Sequence, residues 1–83
     1  MMTIEQALEH VRLEVCRAEA QHAPMASSHE GYAVILEELD ELWVEVKKKR
    51  SDRDPELMGQ EAIQVAAMAI RFLLNVVENA RAR

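Results

Sequence analysis

The sequence has few of the residues that brace or punctuate small proteins. Cys16 is its only cysteine, so no disulfide can form within the chain. A single thiol fits a reducing compartment, and the expected location is cytoplasmic. Two glycines and two prolines leave little material for linkers, and no internal repeat or low-complexity segment is visible. Positive charge is also in deficit, with ten Lys and Arg against fifteen Asp and Glu. An acidic surface repels a phosphodiester backbone, so no nucleic-acid polymer is expected as a partner. The longest apolar run, Val65 to Ile70, is far shorter than the ~20 residues that span a bilayer, so no membrane association is expected. The segment from Met1 to Gln6 has no basic stretch followed by an apolar run and does not read as a signal peptide.

What remains is a chain of 83 residues, read as a single domain. A domain this small buries only somewhat more than ~60% of the surface its unfolded form exposes. Disulfides, metals or oligomerisation usually supplement so small a core, and with disulfides excluded a metal, partners or both are left.

The periodicity is helical throughout. A first helix is predicted over about 3–21, with Thr3 as N-cap and Glu5 and Gln6 in the first turn. Ile4, Ala7, Leu8, Val11, Val15 and Ala18 recur at three- and four-residue steps and form its apolar stripe. Leu13 and Cys16 fall off that stripe, and Cys16 reads as a small packing residue. The segment Ala23-Pro24-Met25-Ala26-Ser27 forms a loop. A second helix is predicted over about 28–50, opened by the capping pair Ser27 and Glu30. It carries Tyr32, Ile35, Leu36, Leu39, Leu42, Trp43 and Val46 on one side, and Trp43 is expected in a core or interface. Lys47-Lys48-Lys49-Arg50 would oppose the negative end of the helix dipole, the plainer alternative to binding phosphate.

Asp54-Pro55 opens a third helix, predicted over about 55–80, with Asp as N-cap and Pro at the first position. Between Ala62 and Val77 only Gln64, Arg71 and Asn75 are polar. A helix apolar nearly all round is buried on most sides, and two short helices cannot easily cover it. The expected fold is therefore all-α: a three-helix chain forming an antiparallel helical bundle completed by oligomerisation, as a homodimer or homotetramer.

At about 100° per residue, Glu38, Glu41 and Glu45 share one strip of the second helix, beside its apolar face. Like charges three and four residues apart repel. The pattern fits a cation held against a facing helix, and equally a solvated acidic face. On the third helix Glu61, Gln64, Arg71, Asn75 and Glu78 fall on one stripe, with Met68 between them. That stripe is either the wet side of the helix or the surface facing the acidic strip. In the second case carboxylates from two helices would enclose a hard cation with oxygen ligands. The remaining polar residues carry less: His10 and His22 read as solvated, and His29 as a surface or capping residue.

Glu37-Glu38-Leu39-Asp40-Glu41 resembles the EExxE motif of the MazG-like, all-α nucleoside triphosphate pyrophosphohydrolases. That family carries a second motif, ExxD, on the next helix, and Glu61-Ala62-Ile63-Gln64 stands twenty residues after Glu41. The stretch from His29 to Leu36 is similar to the family's lead-in, so the likeness runs from Ser28 to about Asn75. The resemblance implies Mg²⁺-dependent hydrolysis of a nucleoside triphosphate to monophosphate and pyrophosphate, with Mn²⁺ as a substitute. By motif position Glu38, Glu41 and Glu61 would be metal ligands, with Gln64 completing the set. Glu37 would orient groups or water beside them. From position, Glu45 is a candidate proton acceptor. Arg71, with Asn75, is a candidate for substrate phosphate, the alternative being an ion pair of Arg71 with Glu78. The family's second motif ends in Asp where this chain has Gln64. The alternative function is accordingly a catalytically weakened nucleotide- or partner-binding helical oligomer of the same kind.

Overall fold

The computed structural model describes residues 1–81, and all regular structure among them is helical. Helix α1 spans Ile4–Gln21. Thr3 and Gln6 close a reciprocal cap at its start: the Thr3 hydroxyl accepts from the Gln6 N–H at 3.1 Å, and the Gln6 side chain accepts from the Thr3 N–H at 2.9 Å. Helix α2 spans Ser28–Val46, and the Ser27 hydroxyl oxygen accepts from the Glu30 N–H at 3.0 Å. Helix α3 spans Pro55–Phe72, with the Asp54 carboxylate accepting from the Glu56 N–H at 2.9 Å. Helix α3 runs on through a π-helical turn, Leu73–Val77, into a last short helix, α4, over Glu78–Arg81.

The expected boundaries hold for α1 and for the start of α2, but α2 stops four residues early. Lys47 is its C-cap, and Arg50–Asp52 form a separate 3-10 turn. The cause is a side chain. Arg53 Nε donates to the carbonyls of Val46 at 2.9 Å and Lys48 at 3.0 Å, so a residue from beyond the turn caps the helix end. The four successive cations therefore lie at and beyond the helix terminus rather than in its last turn.

Helix α3 packs against both α2 and α1, while α1 and α2 make no comparable packing with each other. The start of α2 lies at the far end of α3. Gly31 sits so close to Phe72 that a Cβ there would fall 2.6 Å from the ring, and 3.2 Å from Met25 Sδ. Only a residue without a side chain permits that approach. The core is small: Val15 and Ala18 of α1, Met25 of the loop, and Ala67 and Met68 of α3.

The faces of α3 are the reverse of those of an ordinary soluble helix. Most of its polar stripe is turned inward: Arg71 is only 4% exposed, and Glu61, Gln64 and Asn75 are half-buried, while Glu78 at the end of the stripe stays exposed. Leu57, Leu73 and Leu74, by contrast, are exposed. The apolar side of α2 is split in the same way. Ile35, Leu42 and Val46 are half-buried against the chain, while Tyr32, Leu36, Leu39 and Trp43 are exposed. Trp43, at 58% exposure, is thus not a core residue of the single chain. Cys16 is exposed too, on the wall of an apolar groove with Leu8, Val11, Val15 and Ile70, so it does not pack as expected. The reason is geometric: Val15 and Ala18 take the line of α1 that meets α3, and Cys16 lies beside it.

The shape follows from this open arrangement. The principal extents are 50 × 27 × 20 Å and the radius of gyration is 14.1 Å, against roughly 12 Å for a compact domain of this length. By length and composition the rod Pro55–Arg81 is also apolar enough to cross a membrane, with mean hydropathy 1.3 over its most apolar stretch. Its inward polar stripe, however, is engaged by groups of α1 and the α1–α2 loop.

Candidate metal centre and its surroundings

Three carboxylates converge where α2 faces α3. Glu38 and Glu41 lie one turn apart on α2, and Glu61 comes from the second turn of α3. Ligand oxygens of all three fall within 4.8 Å of one another. Glu38 and Glu61 are half-buried and Glu41 is exposed, so the cluster is open on one side.

Crowding leaves an electrostatic trace. Desolvation first, and then repulsion from Glu41, Glu61 and Glu37, pushes the Glu38 carboxyl up to about 7. Glu61 is raised as well, by desolvation and then by Glu41 and Glu45. Acids placed this way favour a proton or a cation among them. The donor set is all oxygen and anionic, which suits a hard divalent ion such as Mg²⁺ and offers nothing to soft metals.

The other residues expected at the site are distributed around this centre. Glu37 is exposed on α2, next to Glu38. Glu45 is half-buried next to Glu61 and forms an ion pair with Lys48 at 2.8 Å. A cavity of about 360 Å³ opens beside the trio, lined by Glu37, Glu38, Gln64, Met68 and Arg71 together with Arg17 and His22 of the α1 end. The Gln64 side chain lies against Glu14 of α1. There Arg17 chiefly, and Gln64 in addition, hold the Glu14 carboxyl below the usual range.

Arg71 and Asn75 are drawn into a latch. Arg71 Nε donates to Glu19 at 2.7 Å, and its Nη2 donates to the Ala23 carbonyl at 3.0 Å. Asn75 accepts from the Met25 N–H at 2.8 Å and donates to Glu19 at 3.1 Å. The expected pairing of Arg71 with Glu78 is replaced by Glu19, and Glu78 instead faces Arg81 at 3.9 Å. A partner seven residues away on the same helix lies about two turns off, whereas Glu19 projects directly from α1. The latch ties the α1–α2 loop to α3 and so sets where α2 begins.

Of the four ligands that sequence reasoning named, Glu38, Glu41 and Glu61 lie together, and Gln64 is turned to Glu14. That reasoning missed Glu14 and Glu19, the α1 partners of Gln64, Arg71 and Asn75. Both acids flank the buried pair Val15 and Ala18, but no spacing rule identifies which acids beside an apolar stripe will face a neighbour. No family model, no curated protein and no solved structure matches this chain.

Proposed function

We propose that this chain is a Mg²⁺-dependent nucleoside triphosphate pyrophosphohydrolase of the MazG-like kind, acting as a homo-oligomer. The observation that carries the reading is the convergence of Glu38, Glu41 and Glu61 within 4.8 Å from two helices. Acidic groups this crowded are unfavourable for folding unless a ligand relieves them.

In this reading Glu38, Glu41 and Glu61 are the residues that would hold the ion. The ion supplies charge neutralisation for the phosphates and a more acidic water. Hydrolysis adds water across one phosphoanhydride bond, giving monophosphate and pyrophosphate. Glu45 and Glu37 are the carboxylates beside the trio that accept or relay a proton. Arg71 lines the adjoining cavity and offers positive charge from its wall, held in place by Glu19. Asn75 shapes that wall through the loop it binds.

The oligomer is supported by surface area. The chain exposes 6274 Å², roughly 1,200 Å² more than a compact monomer of its mass. A standard interface buries about 800 Å² per partner. Tyr32, Leu36, Leu39 and Trp43 on α2, with Leu57 on α3, supply the apolar side chains such a contact needs. A second copy would turn three helices into a closed antiparallel bundle. Sedimentation at low micromolar protein should show no folded monomer, and a compact monomer there would remove this part of the reading.

The weakened-site alternative is favoured by one observation: Gln64 brings no charge and lies against Glu14. A panel of nucleoside triphosphates with pyrophosphate detection separates the two. Turnover by the parent and none by Glu41→Gln supports hydrolysis. Nucleotide binding with no turnover supports the alternative. Neither binding nor turnover, with no Mg²⁺ uptake, would sink both.

A further inference from the structure

Positive charge is unevenly distributed in this fold. Among the described residues, Arg12, Arg17, Arg71 and Arg81 each face a carboxylate, on their own helix or on α1. The remaining cations, Lys47, Lys48, Lys49, Arg50 and Arg53, follow one another where α2 ends. Of these only Lys48 has a carboxylate partner, Glu45.

The helix dipole does not account for them. Arg53 already supplies a cation and a hydrogen bond to the last carbonyl of α2, with a second to the Lys48 carbonyl just beyond it. Lys47, Lys49 and Arg50 are surplus to that task, and adjacent like charges repel. All three are exposed. Two acids share the segment. Asp54 is turned to the start of α3, where it accepts from the Glu56 N–H, and Asp52 is exposed in the turn.

The basic segment is continuous with the acidic centre. Glu41 and Glu45 lie one turn apart on α2, and Lys48 follows just past the helix end at Val46. The Lys48 side chain reaches back over the helix end to Glu45 at 2.8 Å. The order of charges along the chain is therefore carboxylates able to hold a cation, then Glu45, then Lys48 set among cations without carboxylate partners. A polyphosphate chain needs this sequence of charges. A divalent ion neutralises part of it, and the rest calls for ammonium or guanidinium groups.

We propose that Lys48 and the exposed cations around it, Lys47, Lys49 and Arg50, form a subsite for the distal phosphates of a polyphosphate chain anchored at Glu38, Glu41 and Glu61. The subsite rests on the hydrolase reading and deepens it: it holds the two phosphates that leave as pyrophosphate. Specificity follows as well. Triphosphates reach the segment, and monophosphates do not.

Calorimetry on the full chain tests this with three probes: Mg²⁺ alone, Mg²⁺ with pyrophosphate, and Mg²⁺ with a nucleoside monophosphate. The variants are Lys48→Gln and the triple change Lys47→Gln, Lys49→Gln, Arg50→Gln, which leaves the Arg53 cap intact. Pyrophosphate affinity should fall tenfold or more in the triple variant and should weaken with added salt in the parent. Mg²⁺ and monophosphate affinities should stay within twofold of the parent, which also shows that the variants are folded. Unchanged pyrophosphate affinity with Mg²⁺ binding intact would overturn the subsite and leave the hydrolase reading standing. Equal losses for pyrophosphate and monophosphate would overturn the assignment to distal phosphates. A parent that binds neither Mg²⁺ nor pyrophosphate would overturn the subsite and the hydrolase reading together.

Discussion

Replacing Glu38 by Gln removes one charge from the acidic centre and keeps the side chain's shape. The Glu38 carboxyl is pushed up to about 7 in the folded chain, from an ordinary value of 4.5, by desolvation and by Glu41, Glu61 and Glu37. The folded state therefore binds this proton more tightly than the unfolded state. The stability it contributes is fully present below pH 4.5 and is lost as pH rises through 7. At pH 8 in chelator the ionised group is a liability. A displacement of this size corresponds to about 3 kcal/mol before screening, and solvent at a half-buried position reduces it to about 1–2 kcal/mol. Glu38→Gln should stabilise the metal-free chain by that amount at pH 8 and by almost nothing at pH 4.5. For a domain of this length each kcal/mol moves the melting temperature by roughly 4–8 °C. Divalent metal should invert the order. At a hundred times its dissociation constant Mg²⁺ stabilises the parent by about 2.7 kcal/mol, and the variant, one ligand short, gains less. Melting curves at fixed protein concentration, with chelator and with Mg²⁺ at both pH values, read all of this. Identical curves for parent and variant at pH 8, with and without metal, would mean that Glu38 is fully solvated and the three carboxylates act independently.

Gln64→Asp should add a fourth charge beside Glu38 and Glu14, lowering the melting temperature in chelator and raising Mg²⁺ affinity by calorimetry; no change in either would place position 64 outside the site. Gly31→Ala drives a methyl group to 2.6 Å from Phe72, and denaturant unfolding should show a loss of about 1–3 kcal/mol. A loss under 0.5 kcal/mol would mean that the α2–α3 crossing relaxes freely. Arg71→Ala should destabilise by about 2–3 kcal/mol, because it strips Glu19 and the Ala23 carbonyl of their buried donor. Amide exchange over 22–27 should rise at the same time, and unchanged exchange there would refute the latch.

Local chemistry was enough to mark the helices. Thr3, Ser27 and Asp54 cap helix starts because a short side-chain oxygen satisfies free N–H groups wherever it precedes an apolar repeat. The acidic strip was legible for the same kind of reason, since residues three and four apart on one helix must be neighbours. Three features depended on how the helices cross. Spacing left the polar stripe of α3 open between water and the facing acids; packing left Glu78 exposed, turned the rest inward and divided it, Glu61 to Glu38 and Glu41, Gln64 to Glu14, Arg71 and Asn75 to Glu19. The end of α2 moved to Val46 because Arg53, seven residues later, folds back to cap it. Trp43 and Cys16 belong to apolar patterns and yet are exposed, because one α3 cannot cover both sides of its neighbours. A sequence fixes which residues share a face of a helix, since that depends only on 3.6 residues per turn. What that face meets depends on the relative placement of separate helices, which for this chain was decided by the close approach at Gly31 and the latch around Arg71.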